Sequence, residues 1–211
     1  RVDDRRIYLL GASGGGHMAL LMACRAPEVW AGVSASCPIS DLASWYRFCE
    51  EKGYGYAEMM RRCFGGPPDV PEREAEYRRR SPLFCLENAR GVPLDIETGI
   101  LDGHDGRAVP VSHSLLAFQA LIEANGIPDK KLGAEEIAFI VREARLPSSL
   151  AAEGDNEAGR KYPVLFRRDT NPVRLTITDA GHDFDPGADG QEPPALAWLE
   201  KQQRTSPWRS K

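Results

Sequence analysis

A serine set between glycines is the residue with the clearest chemical potential. Residues 11–15 read Gly-Ala-Ser-Gly-Gly, a match to the G-x-S-x-G pattern. An apolar run of strand length, 6–10, precedes the motif, and a helix-like run, 14–26, follows it. In this strand–turn–helix context the sharp turn exposes the serine hydroxyl at the end of the strand. We therefore expect Ser13 to be a nucleophile.

The glycines around the serine have separate expected roles. The turn requires small residues two positions before and after the serine, which Gly11 and Gly15 supply. The Gly14 amide, at the start of a helix, is expected to donate a hydrogen bond to an oxyanion. The alternative is a glycine-rich turn with an incidental serine. A phosphate-binding loop is disfavoured, because no Gly-Lys-Ser/Thr follows the glycines.

Two later loops carry the groups that could activate a serine hydroxyl. A hydroxyl is a poor nucleophile until an imidazole takes its proton, and a carboxylate must orient that imidazole. Asp102 follows the predicted strand 92–99, and His182 follows the predicted strand 173–178. The carboxyl ends of parallel strands share one edge of the sheet, so we expect these side chains to meet Ser13 there.

Other residues compete for these two roles. Asp105 lies in the same loop as Asp102, and we favour Asp102 because it is nearer the end of the strand. Weaker alternatives for the acid are Asp95, Glu97 and Asp179. His17 and His104 are expected to support the site from behind or to lie on the surface. His113 falls in a predicted helix and is expected to be an ordinary structural residue.

The hydrophobic pattern predicts an α/β fold with a mostly parallel sheet and flanking helices. The runs 6–10, 14–26 and 30–36 form a strand–helix–strand unit. Further predicted elements are a helix at 110–125, an edge strand at 164–166 and a final helix at 193–203. Asp95 and Glu97 are unusual on a buried strand, so we expect them near its ends or on a face open to water.

Two segments look inserted into a single domain that spans 1–211. The aromatic-rich segment 38–82 resembles a lid, with helices predicted near 41–51 and 55–63. Its aromatic residues could line a substrate pocket or form a small core of their own. The pocket candidates are Trp45, Tyr46 and Tyr54. The second insertion is 127–162, with an amphipathic helix predicted at 134–145.

Composition excludes several classes of protein. The chain has 211 residues and a formal net charge of −4, which gives no reason to expect a nucleic-acid partner. No apolar run reaches the length of a membrane span, and the histidines are not spaced as paired metal ligands. We expect no cofactor and no metal. Five cysteines, an odd number, favour free thiols over a disulfide framework, with one disulfide as the alternative.

Taken together, these motifs resemble the catalytic domain of the prolyl oligopeptidase family, and more broadly α/β-hydrolase esterases. The segments that carry the resemblance are Gly-Ala-Ser-Gly-Gly-Gly-His at 11–17, Ser81-Pro82, Gly99-x-x-Asp102 with Val109-Pro110 after it, and Arg174-Leu175-Thr176 leading to Gly181-His182. The resemblance implies an α/β-hydrolase fold. It also implies a Ser13, Asp102 and His182 triad that acts through an acyl-enzyme.

The resemblance also concerns what precedes the serine. Domains of this family have several strands before the nucleophile, one of them leading to a loop with a second oxyanion donor. This chain begins almost at the nucleophile strand, so we expect it to be the C-terminal portion of a longer protein. The strand 6–10 would then be a free edge, able to pair with the missing N-terminal region or with a second copy.

Three functions remain open at this point. The favoured one is a serine peptidase of the prolyl oligopeptidase type, with a peptide substrate. The second uses the same groups on esters of small molecules or carbohydrates. The third is a hydrolase-fold protein that binds a partner without catalysis, which the presence of Ser13, Asp102 and His182 disfavours.

Overall fold

A five-stranded sheet forms the centre of the computed structural model, which describes residues 2–151 and 157–205. Its strands are β1 (Tyr8–Ala12), β2 (Gly32–Ser36), β3 (Leu94–Gly99), β4 (Val164–Asp169) and β5 (Val173–Thr178). The spatial order is β1-β2-β3-β5-β4. All neighbours pair in parallel except β4, which runs antiparallel to β5 at one edge. The predicted mostly parallel sheet is confirmed, with β1 at the other edge.

The described residues contain seven α-helices. They are α1 (Gly14–Arg25), α2 (Leu42–Glu51), α3 (Tyr56–Phe64), α4 (Pro71–Arg80), α5 (Ser112–Ala124), α6 (Ala134–Glu143) and α7 (Pro194–Leu199). Helix α4 was not predicted from the sequence, and α7 is shorter than the predicted 193–203. None of these helices has both the length and the apolar character needed to cross a bilayer.

The two faces of the sheet differ in character. On one face, apolar side chains of the four parallel strands pack against α1 and α5 in the main core. This core includes Val33, Leu94, Leu175 and Phe118, all fully buried. The opposite face is polar, because alternate strand residues are serine, threonine, aspartate, glutamate and arginine. The core therefore lies between the sheet and the helices of one side.

Asp95 is buried on the polar face, and the expectation that it lies near a strand end or in water was wrong. Its side chain is 1% exposed. The Nε of Arg174, its register partner on β5, donates to Asp95 Oδ1 at 2.8 Å, and Ser34 Oγ donates to Oδ2 at 2.9 Å. The Arg174 guanidinium also lies 5.2 Å from the Trp198 ring centroid. These partners offset the cost of burying the carboxylate.

Glu97 is also buried, which corrects the same expectation for that residue. Arg160 Nη1 donates to Glu97 Oε2 at 2.6 Å and lies 3.3 Å from Asp185 Oδ2. Arg160 also pairs with Glu157. Burial raises the pKa of Glu97 to about 7, against the opposing effect of the Arg160 charge. The segment after residue 156 thus covers the polar face with counter-charges.

The aromatic insertion builds a second core between α2, α3 and α4. Tyr46 and Tyr77 are fully buried there, with ring centroids 5.9 Å apart in an edge-on arrangement. Phe64 lies 4.2 Å from Tyr77 in the same cluster. Most of these aromatic side chains therefore stabilise the insertion itself.

The second insertion joins the main core. Ile140 of α6 and Leu150 are both buried in the same cluster as α5. Residues 152–156 of this insertion lie outside the described residues. All five cysteines are free thiols, as the sequence favoured.

Candidate active site

The turn between β1 and α1 holds Ser13 in an unusual backbone conformation. Its φ is 56° and its ψ is −120°, a region that residues with a side chain rarely adopt. Such a conformation costs on the order of 1–3 kcal/mol and persists only where the surroundings impose it. The Ser13 amide donates to Ser36 O at 2.9 Å, which ties the turn to the end of β2.

The close approach that forces small residues involves Gly11 and Gly16. A Cβ on Gly11 would lie 2.2 Å from the Gly15 carbonyl oxygen, because the chain folds back over the end of β1. A Cβ on Gly16 would lie 2.8 Å from Ser36 O. At Gly15 such a Cβ would meet no described atom within 4 Å apart from its chain neighbours and the adjacent backbone of α1. The predicted need for a small residue at Gly15 is therefore wrong, and Gly16 carries that need instead.

Gly14 is the first residue of α1. The first-turn amides of a helix have no acceptor within the helix, so the Gly14 N–H is available to another group. The residue is exposed, and beyond its chain neighbours and the adjacent backbone of α1 no described atom lies within 4 Å of the position that a Cβ would take there. This position suits the oxyanion-donor role expected for it.

Asp102 and His182 form a paired contact between two loops. The His182 Nδ1 lies 2.9 Å from Asp102 Oδ2 and 3.1 Å from Oδ1. The Asp102 side chain is completely buried, whereas that of His182 is 25% exposed. A buried carboxylate against Nδ1 favours the tautomer that carries its proton there and leaves Nε2 as an acceptor.

Backbone contacts bring these two loops together. A Cβ on Gly99, the last residue of β3, would lie 2.1 Å from Gly181 O, so only glycine allows the approach. The Asp102 amide donates to Gly99 O at 3.2 Å, and the Val111 amide donates to Asp102 O at 3.1 Å. The acid loop is thereby closed on itself before α5 begins.

Asp105 does not share this environment. Its side chain is 81% exposed, and its nearest cation is Arg107, at 3.8 Å. The other acid alternatives, Asp95 and Glu97, are engaged on the polar face of the sheet, while Asp179 is exposed. Among the carboxylates considered from the sequence, Asp102 is the one whose side chain contacts His182.

A cavity of about 170 Å³ lies between Ser13 and His182. Its remaining walls are mainly apolar, and include Ile39, Leu42, Trp45, Tyr56 and Val109. Trp45 Nε1 donates to Ala108 O at 2.7 Å, and the Trp45 ring lies 5.1 Å from that of Tyr56. Within the described residues, no hydrogen bond joins Ser13 to His182. Catalytic hydrogen bonds are often long or absent until substrate binds.

An apolar groove of about 490 Å³ adjoins the cavity. The two spaces share His17, Leu42, Trp45 and Tyr56 as walls. Met18 and Met59 extend the groove over the outer surface of α1 and α3, and both are half exposed or more. The site therefore offers a small cavity beside Ser13 and a larger, more open apolar surface next to it.

Of the three predicted pocket residues, the structure places only Trp45 in the cavity. Tyr46 is fully buried in the second core, where its hydroxyl donates to Glu50 at 2.7 Å. Tyr54 packs on Phe48 instead. Tyr46 and Tyr54 are therefore corrected. Tyr56 and Leu42 were missed, although Leu42 and Trp45 are three residues apart and must share a face of α2.

The remaining histidines support the loops around the site. His17 Nδ1 lies 2.9 Å from Ile39 O, and burial lowers its pKa. His104 Nε2 lies 2.9 Å from Val141 O and ties the acid loop to α6. His113 is buried, with its Nδ1 3.3 Å from the amides of Ser40 and Asp41. Burial lowers the pKa of His113 to about 4, so it is neutral near pH 7.

Cys37 is a residue at the site that sequence reasoning did not single out. It follows β2 with a φ of 45°, and its side chain is buried under the loop that carries His182. Its Sγ lies 3.7 Å from Asp183 O and 4.0 Å from Gly181 O. Burial, with a further contribution from the Asp102 charge, raises the pKa of the Cys37 thiol strongly.

Comparison with known proteins places these features in a family. The sequence model of the prolyl oligopeptidase family matches residues 1–135, which include Ser13 and Asp102. No curated protein matches the chain significantly.

Solved structures of peptidases are similar to part of the chain. Acylaminoacyl peptidase of Pyrococcus horikoshii is 24% identical over 58% of this chain and 18% of its own, with a TM-score of 0.47. Dipeptidyl peptidase 4 of Porphyromonas gingivalis is 25% identical over 59% of this chain and 15% of its own, with a TM-score of 0.43. The chain thus spans less than a fifth of the length of these proteins.

The match to the family covers residues 1–135, well over half of the chain. The chain therefore belongs to the prolyl oligopeptidase family of α/β-hydrolase serine hydrolases.

Proposed function

We propose that Ser13, Asp102 and His182 are the catalytic triad of a serine peptidase that acts through an acyl-enzyme. The observation that carries the proposal is the fully buried Asp102 carboxylate against His182 Nδ1, at a cavity that Ser13 also lines. Membership of a peptidase family supports the same reaction class.

The proposed reaction follows from the position of each group. Ser13 Oγ attacks the scissile carbonyl carbon while His182 Nε2 takes the hydroxyl proton, and Asp102 stabilises the resulting imidazolium. The Gly14 N–H donates to the oxyanion. His182 then passes its proton to the leaving amine, which departs as the acyl-enzyme forms. A water molecule, activated by His182 in the same way, releases the acyl group and restores Ser13.

The shape of the cavity suggests the substrate. Its volume of about 170 Å³ corresponds to roughly five or six waters, which suits one apolar side chain of moderate size. Leu42, Trp45 and Val109 would contact this side chain on the acyl side of the scissile bond. We therefore propose cleavage after a small or medium apolar residue of a peptide.

Labelling with a fluorophosphonate probe tests the proposal, because the probe reacts covalently only with an activated serine. The labelling is done on this chain and on the full-length gene product. We expect labelling that Ser13→Ala abolishes, whereas Ser44→Ala, at an exposed serine of α2, leaves it unchanged. Absence of labelling in the full-length gene product would contradict the triad.

A substrate panel then separates peptides from esters. Peptide anilides with different apolar residues before the scissile bond are compared with aryl esters of the same acyl groups. We expect turnover of the anilides, lost in Ser13→Ala. Turnover of esters alone would place the protein among the esterases instead.

A further inference from the structure

Three side chains with different metal-ligating atoms, those of Cys37, Asp102 and His182, lie close together at the site. The Cys37 Sγ, an Asp102 carboxylate oxygen and a His182 ring nitrogen all lie within 4.8 Å of one another. Each comes from a different loop: the end of β2, the loop after β3 and the loop after β5. The Cys37 thiol lies beside two members of the proposed triad, and the proposed reaction gives it no role.

The donor set matches Zn²⁺ in chemistry and charge. Thiolate, imidazole and carboxylate are the three kinds of ligand that Zn²⁺ takes in proteins. A Cys37 thiolate and the Asp102 carboxylate together carry two negative charges, which would balance the dication. Three protein ligands leave a fourth position for water, as in open zinc sites.

The ligand atoms lie near the spacing that zinc requires. Tetrahedral zinc bonds of about 2.0–2.3 Å place neighbouring ligand atoms about 3.5 Å apart, so a sulfur at the 4.8 Å limit would approach by about 1 Å. His182 Nδ1 and Asp102 Oδ2, 2.9 Å apart in a hydrogen bond, would separate by about 0.5 Å to admit the ion. Access is past His182, which is a quarter exposed, since Cys37 and Asp102 are both buried beneath it.

We propose that Cys37, Asp102 and His182 bind Zn²⁺ and that the bound ion inhibits the hydrolase. The inhibition rests on the function proposed above, whereas the binding does not. On this proposal, Cys37 is the residue that makes this member of the family sensitive to zinc.

The inhibition follows from where the protons go. Binding converts the Cys37 thiol to a thiolate and releases one proton to solvent. The metal takes the lone pair of His182 Nδ1, so the proton of the neutral ring must sit on Nε2. An Nε2 that carries a proton has no lone pair for the Ser13 hydroxyl proton, and Ser13 is no longer activated. Zinc should therefore lower kcat without blocking the cavity.

Two readouts test binding and inhibition separately. Binding is followed with Cd²⁺, whose bond to a thiolate gives an ultraviolet charge-transfer band. Inhibition is followed by fluorophosphonate labelling and turnover at increasing Zn²⁺, with reversal by EDTA. The variants are Cys37→Ala and, as a matched control, Cys63→Ser at an exposed cysteine outside the site. Labelling of Cys37→Ala in EDTA at the wild-type level shows that this variant is folded.

We expect Zn²⁺ to suppress labelling reversibly in the wild type and in Cys63→Ser. In Cys37→Ala the inhibitory Zn²⁺ concentration should rise by about tenfold or more, since even indirect partners of a metal cost that much when lost. The Cd²⁺ charge-transfer band should be weaker in Cys37→Ala than in the wild type, because one Cd²⁺–thiolate bond is missing. Equal zinc sensitivity of Cys37→Ala and the wild type would overturn the proposal, as would a Cd²⁺ band unaffected by Cys37→Ala. A Cys37-dependent band in a protein that is never labelled would support the metal site and contradict the triad.

Discussion

Asp102 and Asp105 are three residues apart in one loop, yet their surroundings are opposite. Asp102 is fully buried against His182, and Asp105 is 81% exposed at a left-handed turn. The sequence could rank these two residues only by their distance from the end of the strand. Burial depends on the contact between the loops at Gly99 and Gly181, which no local pattern predicts.

This contrast gives a test at the level of one residue. Asp102→Asn should lower kcat by about 10³–10⁴-fold, because the amide can no longer hold His182 in the required tautomer. Asp105→Asn, the matched control, should leave turnover nearly unchanged. Steady-state kinetics of both variants on a peptide anilide measures the two values of kcat. Comparable losses in the two variants would contradict the assignment of Asp102.

Gly11 and Gly15 give a second residue-scale test. Gly11→Ala should destabilise the chain by about 1–3 kcal/mol or more, because the new methyl group would overlap the Gly15 carbonyl. Gly15→Ala has open space within α1 and should stabilise it by up to about 1 kcal/mol, as alanine favours helix. Urea unfolding measures both. Equal destabilisation by the two substitutions would show that the turn is tighter than described.

At the level of elements, the strands and most helices could be predicted because their apolar residues repeat with the period of each structure. Helix α4 escaped prediction because Tyr77 is its only buried residue. Its signals are instead Pro71 at the start, acidic residues in the first turn and three arginines in the last. The bounds of β1 were predicted two residues too early, since Gly11 and Ala12 looked like turn.

The polar face of the sheet could not be predicted, because its partners are distant in sequence. Asp95 meets Arg174 across 79 positions, and Glu97 meets Arg160 across 63. Periodicity shows which face a side chain points to but not what covers that face. A charged residue inside a buried strand could have been read as a sign of a buried counter-charge.

The Asp95–Arg174 pair is therefore testable at the level of the sheet. Asp95→Ala should destabilise the chain by about 3–5 kcal/mol, because it leaves the Arg174 charge buried without its partner. Adding Arg174→Met to Asp95→Ala removes both charges and should recover most of that loss. Unfolding free energies of the single and double variants measure this coupling. A double variant as unstable as Asp95→Ala would refute the pairing as the cause.

For the whole molecule, two buried groups tie stability to pH in opposite directions. Burial lowers the pKa of His113 from 6.5 to about 4, so its contribution is present above pH 6.5 and is lost as the pH falls toward 4. Burial raises the pKa of Glu97 from 4.5 to about 7, so its contribution is present below pH 4.5 and is lost as the pH rises toward 7. Each slope is about 1.4 kcal/mol per pH unit, and between pH 4.5 and 6.5 they oppose each other.

Removing one group should change the slope of stability against pH by that group's share. His113→Asn keeps an acceptor for the amides of Ser40 and Asp41 but does not titrate, so from pH 6.5 to 4.5 its unfolding free energy should change more favourably than that of the wild type. Glu97→Gln should change less favourably than the wild type over the same range. Urea unfolding of the wild type and both variants at several pH values measures these differences. Differences from the wild type of the same sign in the two variants would contradict these environments.

The left-handed conformation of Ser13 has a consequence for how such a protein can evolve. A glycine adopts that conformation without strain, so Ser13→Gly should be inactive and yet more stable than the wild type, by up to about 2 kcal/mol. Thermal unfolding of Ser13→Gly beside Ser13→Ala would measure the difference, and equal midpoints would mean that the turn is relaxed. Without selection for turnover, a substitution that relieves this strain would be retained, because it stabilises the protein. The serine therefore persists only under selection for turnover.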